Sequence, residues 1–251
     1  MLINSIKTLL LLVIFFSHGL VLANECIKLI VPAYYYPNTN HWKKSSIKGL
    51  GGGVMIMNPA SGPGYEKNID YEKGIRTARK NGVIVYSYVA TDYGKKSIAM
   101  VKEEILKYHN WYEVQGVFFD ETSSSANEVP YYKMLVEFVR QQGIDRVILN
   151  PGVTPDEKYL SEVLTKANDM VVIFEGALTD YSNWKEPDWV KKYPKAKFSH
   201  LVYAVPEKSW KDIWEKSKKH WVGFLYLTDD ILNNPWDTLP TYWEGITKKV
   251  C

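Results

Sequence analysis

Signatures of several common enzyme classes are missing from this chain of 251 residues. It has no H-E-x-x-H or C-x-x-C pattern, which argues against the usual zinc sites, and no G-x-S-x-G, which argues against an α/β serine hydrolase. The four histidines beyond residue 23 have no metal-ligand spacing and are expected to pack or hydrogen-bond; they are His41, His109, His200 and His220. The sequence therefore predicts neither a metal nor an organic cofactor.

The chain also has little net charge. Its formal net charge is +3 at pH 7, and its lysines are scattered, with short pairs such as Lys191-Lys192. Such pairs indicate solvated helix faces rather than a nucleic-acid-binding stripe, so no nucleic-acid partner is predicted. Aromatic residues are what the chain has in quantity, with 18 Tyr and 9 Trp, and aromatic rings suit stacking against the apolar faces of sugars.

Long hydrophobic runs are absent beyond the first 23 residues. These open with MLINSIK, continue with TLLLLVIFFSHGL and end with small residues at Val21 and Ala23. The pattern predicts a signal peptide, residues 1–23, cleaved after Ala23. The alternative is a membrane anchor, but the apolar run of about a dozen residues is shorter than the roughly 20 that a spanning helix needs. We therefore expect a secreted or periplasmic protein without stable membrane insertion, whose mature domain is residues 24–251.

Cysteine is scarce, with only Cys26 and Cys251. One follows the predicted cleavage site and the other is the last residue. An exported protein can keep a disulfide, and a Cys26–Cys251 bridge would close a loop of nearly the whole mature chain, which chain-entropy models value at about 5 kcal/mol. The bridge is the prediction; two free thiols, or contacts with another chain, are the alternatives.

Apolar runs recur along the chain, each followed by a polar or Gly/Pro cluster. They are rich in β-branched and aromatic residues, as strands are. Several are apolar almost throughout rather than alternating, which is typical of parallel strands covered on both faces. The eight runs are IKLIVPAYY, GGVMIMN, GVIVYSYVA, GVFFDE, RVILNPG, MVVIFEG, HLVYAVPE and WVGFLYLTDD.

Helix-like segments separate these runs. Residues 97–112, 131–142 and 209–220 are amphipathic, and the tetrapeptide TPDE at 154–157 has the composition of a helix start. Eight strands alternating with helices predict one α/β domain, a (β/α)8 barrel of the TIM type. The alternative is an open doubly wound sheet, against which no G-x-G-x-x-G follows the first strand.

Three acids stand where such a barrel carries its active site, at the carboxyl ends of strands. Asp120 and Glu121 end the fourth run, and Glu175 ends the sixth. Glycosidic cleavage commonly needs a proton donor and a second carboxylate, and closely spaced carboxylates raise one pKa, which suits the donor. The three acids are therefore predicted to be catalytic, the alternative being a helix cap and a surface acid.

Other strand ends carry residues that would suit a carbohydrate site. Successive side chains on a strand point to opposite faces, so Asp120 and Glu121 can both face the barrel axis only if the strand has bent into its loop. We expect one of them to be catalytic and the other to orient it. For Asn58, capping of its own loop is an equal alternative. The residues predicted to bind sugar are Tyr34, Tyr36, Asn58, Tyr88, Asn150, Tyr203 and Asp229.

An ordered set of motifs resembles the spherulin-4-like proteins, also called spherulation-specific family 4. The set extends from about Val31 to Trp243 and comprises VPAYYYP, NPASGPG, VYSYVATDYG, GVFFDE, LNPG, VIFEG, VYAVPE and WDTLPTYW. The resemblance implies a (β/α)8 fold and glycoside hydrolase activity. Characterised fungal members are exported and cleave galactosaminogalactan within stretches of α-1,4-linked N-acetylgalactosamine, and a related bacterial domain acts on a biofilm polymer of the same kind of sugar. The family's acidic pair after strand four maps onto Asp120 and Glu121, and its glutamate after strand six onto Glu175.

The sequence thus predicts an exported, monomeric, endo-acting glycosidase whose partner is an amino-sugar polysaccharide. Retention of anomeric configuration is favoured, with assistance by the substrate's N-acetyl group as a variant. The division of roles among Asp120, Glu121 and Glu175 stays open. The alternative function is a non-catalytic carbohydrate-binding or cell-envelope protein with the same fold, because a fold alone confers no activity.

Overall fold

The computed structural model describes residues 26–46, 50 and 52–250. Its centre is a closed barrel of eight parallel strands that follow one another in chain order. The strands are β1 (Lys28–Ala33), β2 (Val54–Met57), β3 (Ile84–Ala90), β4 (Gly116–Asp120), β5 (Val147–Leu149), β6 (Met170–Ala177), β7 (Phe198–Tyr203) and β8 (Phe224–Leu227).

The first and last strands close the barrel. Ile30 of β1 pairs with Val54 of β2, and on the other edge Leu29 of β1 pairs with Leu225 of β8. A sheet whose first strand pairs with its last has no edges, so the predicted (β/α)8 barrel is confirmed and the open doubly wound sheet is excluded. Each of the eight predicted apolar runs coincides with one strand, although β6 extends one residue beyond its run and β7 begins two residues before its run.

The strands are buried on both faces, as their near-continuous apolar sequences require. All four residues of β2 and of β8 are buried, as are the first four of β4. The first residue of β4 is Gly116. A glycine is required at this position because a Cβ would overlap the ring of Tyr86 on β3. Close strand packing at this point therefore sets the path of β4 towards the acids that follow it.

Helices between the strands surround the barrel. In α3, Ser97 accepts a hydrogen bond from the Met100 N–H at 3.3 Å, and the stripe from Val101 to Tyr112 faces the core, as its periodicity predicts. The helices are α1 (Asn40–Ser45), α2 (Ile69–Lys80), α3 (Ile98–Tyr112), α4 (Val129–Gln141), α5 (Leu178–Tyr181), α6 (Trp210–Ser217) and α7 (Trp243–Ile246). Short 3₁₀ turns add Asp92–Gly94, Ala126–Glu128, Asp188–Lys192 and Lys195–Lys197.

The helix start predicted at residues 154–157 is displaced. The helical segment after β5 is a five-residue π-helical turn, Tyr159–Val163. Instead of capping a helix, the Thr154 hydroxyl donates to the carbonyl of Ile173 on β6 at 3.3 Å. The residues before Tyr159 therefore form part of the loop at the carboxyl end of the barrel.

Two predictions concern residues outside this description. The signal peptide, residues 1–23, lies outside the described residues and stays a prediction. Cys251 lies outside them as well, so its bridge to Cys26 also stays a prediction. In the part of the chain that the structure describes, no helix is long and apolar enough to cross a bilayer.

Candidate active site

The three predicted acids lie together at the carboxyl end of the barrel. Asp120 is the last residue of β4, Glu121 follows it, and Glu175 lies near the end of β6. Asp120 and Glu175 are partly buried, whereas Glu121 is exposed. All three line one open cavity of about 390 Å³. The strand ends therefore bring together the carboxylates that the sequence places about 50 residues apart.

Asn150, the residue after β5, joins two of these acids. Its side-chain nitrogen donates to Asp120 Oδ1 at 2.7 Å and to Glu175 Oε2 at 2.6 Å. Its side-chain oxygen accepts from the Gly152 N–H at 3.0 Å, which fixes the orientation of the amide. Since both carboxylate oxygens contact one nitrogen, they cannot be more than about 5.3 Å apart, the two bond lengths placed end to end.

Burial and mutual repulsion favour the protonated form of this pair. Burial, and then the charge of Asp120, raise the pKa of Glu175 to about 7, against the opposing hydrogen bonds from Asn150 and Trp236. Burial also raises the pKa of Asp120, but three hydrogen bonds oppose the rise, from the Tyr88 hydroxyl, the Glu121 N–H and Asn150. Because Asp120 accepts more hydrogen bonds, Glu175 is the carboxyl that holds the proton near neutral pH.

Two tyrosines pack beside Asp120, beneath the residues that line the cavity. Tyr88 on β3 donates its hydroxyl to Asp120. Burial, then the charge of Asp120 and this hydrogen bond, raise the tyrosine's own pKa. The ring of Tyr34, directly after β1, packs edge-on against Tyr88 with centroids 5.5 Å apart. Burial and then the charge of Asp120 raise the pKa of Tyr34 well above its usual value. Both phenols therefore stay neutral beside the acids.

The chain turns sharply between Asp120 and Glu121. Glu121 has a φ of 49°, in the left-handed region that a non-glycine residue rarely adopts. Its carbonyl accepts from the Thr91 hydroxyl at 2.9 Å and from the Tyr93 N–H at 2.6 Å, which stabilises the turn. The turn is the bend that the sequence analysis required for two adjacent acids to face one cavity, and it leaves the Glu121 carboxylate at the cavity's exposed edge.

Trp236 is a residue of this site that the sequence analysis did not identify. It lies in the loop after β8, is 7% exposed, and donates its indole N–H to Glu175. Its backbone carbonyl accepts from the Tyr34 N–H at 3.2 Å. The motif WDTLPTYW contained it, but a tryptophan nine residues beyond the end of β8 gives no sign in the sequence of the direction in which it points.

The predicted sugar-binding residues fall into two groups. Asn150 and Tyr203 line the cavity, and Tyr34 and Tyr88 pack against each other beside Asp120. The others have partners elsewhere in the protein: Tyr36 donates to Asp70 at 2.9 Å, Asn58 accepts from the Gly62 N–H at 3.1 Å, and Asp229 accepts from the Thr241 N–H at 3.1 Å. A sugar-binding role for these residues stays a prediction.

The cavity is acidic on its floor and apolar on part of its rim. Among the described residues that line it there are three carboxylates and no basic side chain. Within residues 26–46, 50 and 52–250, no cluster of three or more His, Cys, Asp or Glu side chains could hold a metal ion. The lining residues are Tyr93, Asp120, Glu121, Asn150, Pro151, Gly152, Val153, Glu175, Tyr203 and Leu232.

Comparison with known sequences identifies relatives of this chain. The model of the family described as "Spherulation-specific family 4" matches residues 28–250. Spherulin-4 of Physarum polycephalum is 31% identical over 227 residues, which are 85% of this chain and 67% of that protein. The family match over residues 28–250 includes every strand of the barrel and all three acids of the cavity.

Comparison with solved structures identifies barrels of the same fold. Sph3 of Aspergillus clavatus, crystallised in complex with GalNAc, superposes with a TM-score of 0.76 at 24% identity, covering 89% of this chain and 96% of Sph3. A GH18 chitinase from Pseudoalteromonas aurantia superposes with a TM-score of 0.57 at 12% identity, covering 89% of this chain and all of the chitinase, 100%. At these identities the likeness establishes the fold.

Proposed function

The chain belongs to the spherulation-specific family 4, and we propose that it is an endo-acting glycosidase that cleaves an amino-sugar polysaccharide. The observation that carries the proposal is the pair Asp120 and Glu175, held by one amide at the carboxyl end of the barrel. Glycosidases use two such carboxylates, one protonated and one ionised. The raised pKa of Glu175, about 7, supplies the protonated partner.

Glu175 is the proton donor in the proposed reaction and Asp120 is the nucleophile. Glu175 gives its proton to the glycosidic oxygen while an Asp120 oxygen attacks the anomeric carbon, so that the bond to the leaving sugar breaks and a glycosyl ester forms. The Glu175 carboxylate then takes a proton from water, whose oxygen attacks the same carbon and releases Asp120. Two inversions give net retention of configuration.

The spacing of the two acids supports retention. Retaining glycosidases hold their carboxyl groups about 5–5.5 Å apart, whereas inverting enzymes leave about 6.5–9.5 Å for a water molecule. The shared contact with Asn150 keeps the two bonded oxygens of Asp120 and Glu175 at most about 5.3 Å apart, an upper limit that is compatible with the closely spaced carboxyl groups of a retaining enzyme. Glu121, exposed at the cavity edge, is the third acid, which positions the substrate rather than reacting with it.

The relatives suggest the substrate. Sph3 was crystallised with GalNAc. Its sequence is 24% identical to this chain, and the superposition covers 89% of this chain. We therefore propose a polymer of α-1,4-linked N-acetylgalactosamine, acetylated or partly deacetylated, as the substrate. The apolar segment before residue 24 supports export to the compartment where such extracellular polymers lie.

Hydrolysis of defined polymers tests the proposal. Wild type is expected to release oligosaccharides from α-1,4-linked galactosamine polymers, detected by reducing-end release and product mass. Glu175→Gln is expected to lose activity by orders of magnitude because it cannot donate a proton. Glu137→Gln on the exposed face of α4 is the matched control and should act as wild type does.

The same experiment separates the enzyme from its alternative. Binding of the polymers by wild type without any products would favour a carbohydrate-binding protein with this fold. Full activity in Glu175→Gln would contradict the assigned proton donor. The anomeric form of the first product, followed by NMR, checks retention.

A further inference from the structure

Tyr93 lies beside the acids, and none of the assignments above uses it. It belongs to the 3₁₀ turn Asp92–Gly94 that follows β3, and it lines the cavity that contains Asp120, Glu121 and Glu175. Its side chain is large and apolar, yet 54% of it is exposed. Partial burial and then the charges of the acids raise the pKa of its hydroxyl, so the ring stays neutral in the cavity that it shares with them.

The backbone holds Tyr93 in this place against its own preference. Asp92 and Tyr93 have φ of 45° and 53°, so two consecutive non-glycine residues lie in the left-handed region. This conformation is unfavourable for a residue with a Cβ and persists only where the surroundings impose it. Here the Tyr93 N–H donates to the Glu121 carbonyl at 2.6 Å, and Gly94 N–H donates to the Thr91 carbonyl at 3.0 Å.

This arrangement fixes the ring relative to the catalytic acids. Glu121, the acceptor, is itself left-handed and directly follows Asp120. The tip of the β3–α3 loop is therefore bonded to the residue next to the proposed nucleophile. A tyrosine ring that contacted only solvent would not require two residues in a strained backbone conformation to hold it. A ring that binds a ligand, in contrast, must keep a fixed position.

Two further exposed apolar side chains line the same cavity. Val153, in the loop after β5, is 55% exposed, and Leu232, in the loop after β8, is 63% exposed. With Tyr93 they form an apolar rim from three separate loops above an acidic floor. A pyranose has a matching division, with C–H groups on its ring faces and hydroxyl groups around its edge, so apolar walls and polar floor groups can contact it together.

We propose that Tyr93, with Val153 and Leu232, forms a sugar-binding subsite. It holds the sugar unit next to the one whose glycosidic bond is cleaved. The inference rests on the proposed function for the identity of the ligand, an α-1,4-linked N-acetylgalactosamine chain. The Tyr93 ring stacks on that neighbouring sugar and so determines affinity for a polymer over a single sugar. Such a subsite is filled by an oligosaccharide or a polymer and is left empty by a single sugar bound at the cleavage position.

Binding measured without turnover tests the subsite. In the Glu175→Gln background, titration calorimetry with an α-1,4-linked N-acetylgalactosamine oligosaccharide should show binding weakened about tenfold by Tyr93→Ala, equal to about 1.4 kcal/mol. Tyr93→Phe keeps the ring and should change affinity by less than about twofold. Tyr93→Asn also removes the ring, but asparagine tolerates the left-handed backbone conformation. If Tyr93→Asn and Tyr93→Ala lose the same affinity, the loss is due to the missing ring rather than to a change in the loop.

Tyr65 provides the matched control. It is 103% exposed, lies in the loop between β2 and α2, and does not line the cavity. Tyr65→Ala should leave oligosaccharide binding unchanged, and N-acetylgalactosamine itself should bind the Tyr93 variants as it binds the parent. Equal affinities of Tyr93→Ala and Tyr65→Ala would overturn the inference, as would the absence of any oligosaccharide binding.

The outcomes also separate the subsite from the catalytic assignment. If the oligosaccharide binds through Tyr93 but wild type releases no product, the subsite stands and the glycosidase function fails. If wild type cleaves the polymer and Tyr93→Ala raises KM no more than Tyr65→Ala does, the function stands and the subsite fails. With both correct, Tyr93→Ala raises KM about tenfold with little change in kcat.

Discussion

Asp120 and Glu175 share one hydrogen-bond donor. The side-chain nitrogen of Asn150 lies 2.7 Å from an oxygen of Asp120 and 2.6 Å from an oxygen of Glu175. Two partly buried carboxylates this close repel each other when both are ionised, so their protons leave in two coupled steps. The pair therefore works as one unit across neutral pH, with the proton held by Glu175.

Activity is expected to follow a bell-shaped pH profile. The proposed reaction requires Glu175 to be protonated, and burial with the charge of Asp120 raises the pKa of Glu175 to about 7. kcat/KM should therefore fall as pH rises through about 7, and it should fall in acid as Asp120 becomes protonated. Initial rates across the pH range measure both limbs, and constant activity well into the alkaline range would contradict Glu175 as the donor.

Removal of one hydrogen bond at a time should move each limb separately. The Tyr88 hydroxyl lowers the pKa of Asp120 and the Trp236 indole lowers that of Glu175. Tyr88→Phe should therefore shift the acid limb to higher pH, and Trp236→Phe should shift mainly the alkaline limb to higher pH. Each variant serves as the control for the other, and identical shifts in both would show that the limbs are not assigned correctly.

Asn150→Ala should reduce kcat about 100-fold, because both carboxylates lose the group that holds their relative position. It should also shift the alkaline limb to higher pH, since the bond from Asn150 lowers the pKa of Glu175. A variant that was merely less stable would lose activity without moving that limb. The pH profile, measured well below the melting temperature, separates the two cases.

Glu175→Gln should stabilise the protein against unfolding at neutral pH and above. The carboxyl has a pKa of about 7 in the folded state against an ordinary 4.5, so the unfolded state ionises first as pH rises. Wild type therefore loses stability between about pH 4.5 and about pH 7, and Gln, which cannot ionise, does not. The Tm difference between variant and wild type should be small below pH 4.5, grow through this window and stay constant above it.

Glu137→Gln provides the reference for that measurement. This exposed side chain on α4 lies outside the cavity, and its replacement should give the wild-type dependence of Tm on pH. A Tm difference for Glu175→Gln that is constant from pH 4 to 8 would show that Glu175 keeps an ordinary pKa in the folded protein.

The sequence allowed the barrel and its acids to be predicted for a simple reason. Strands buried on both faces leave continuous apolar runs such as GVFFD and MVVIF, and those runs are visible without tertiary information. In a parallel barrel the carboxyl ends all lie on one side, so Asp120, Asn150 and Glu175 had to be neighbours once the strands were assigned. The structure places these three residues as that topology requires.

The loops could not be predicted in the same way. Thr154 has the sequence context of a helix cap, but its hydroxyl donates to Ile173 on a neighbouring strand. Trp236 and Tyr93 reach the acids because tertiary contacts direct their loops inwards, and Tyr93 adopts a backbone conformation that its own propensity disfavours. Which loop residues face a cavity depends on contacts between segments distant in sequence, and these leave no local pattern.

The contact between Trp236 and Glu175 links catalysis to the order of assembly. Glu175 is in place once β6 has joined the sheet, but Trp236 follows β8, and β8 is fixed only when it pairs with both β7 and β1. A chain still emerging during synthesis therefore carries its carboxylates before it carries the indole whose hydrogen bond lowers the pKa of Glu175. In a refolding experiment on the proposed glycosidase, we expect recovery of activity to coincide with the joining of the two ends of the sheet, so that turnover would report when the barrel has closed.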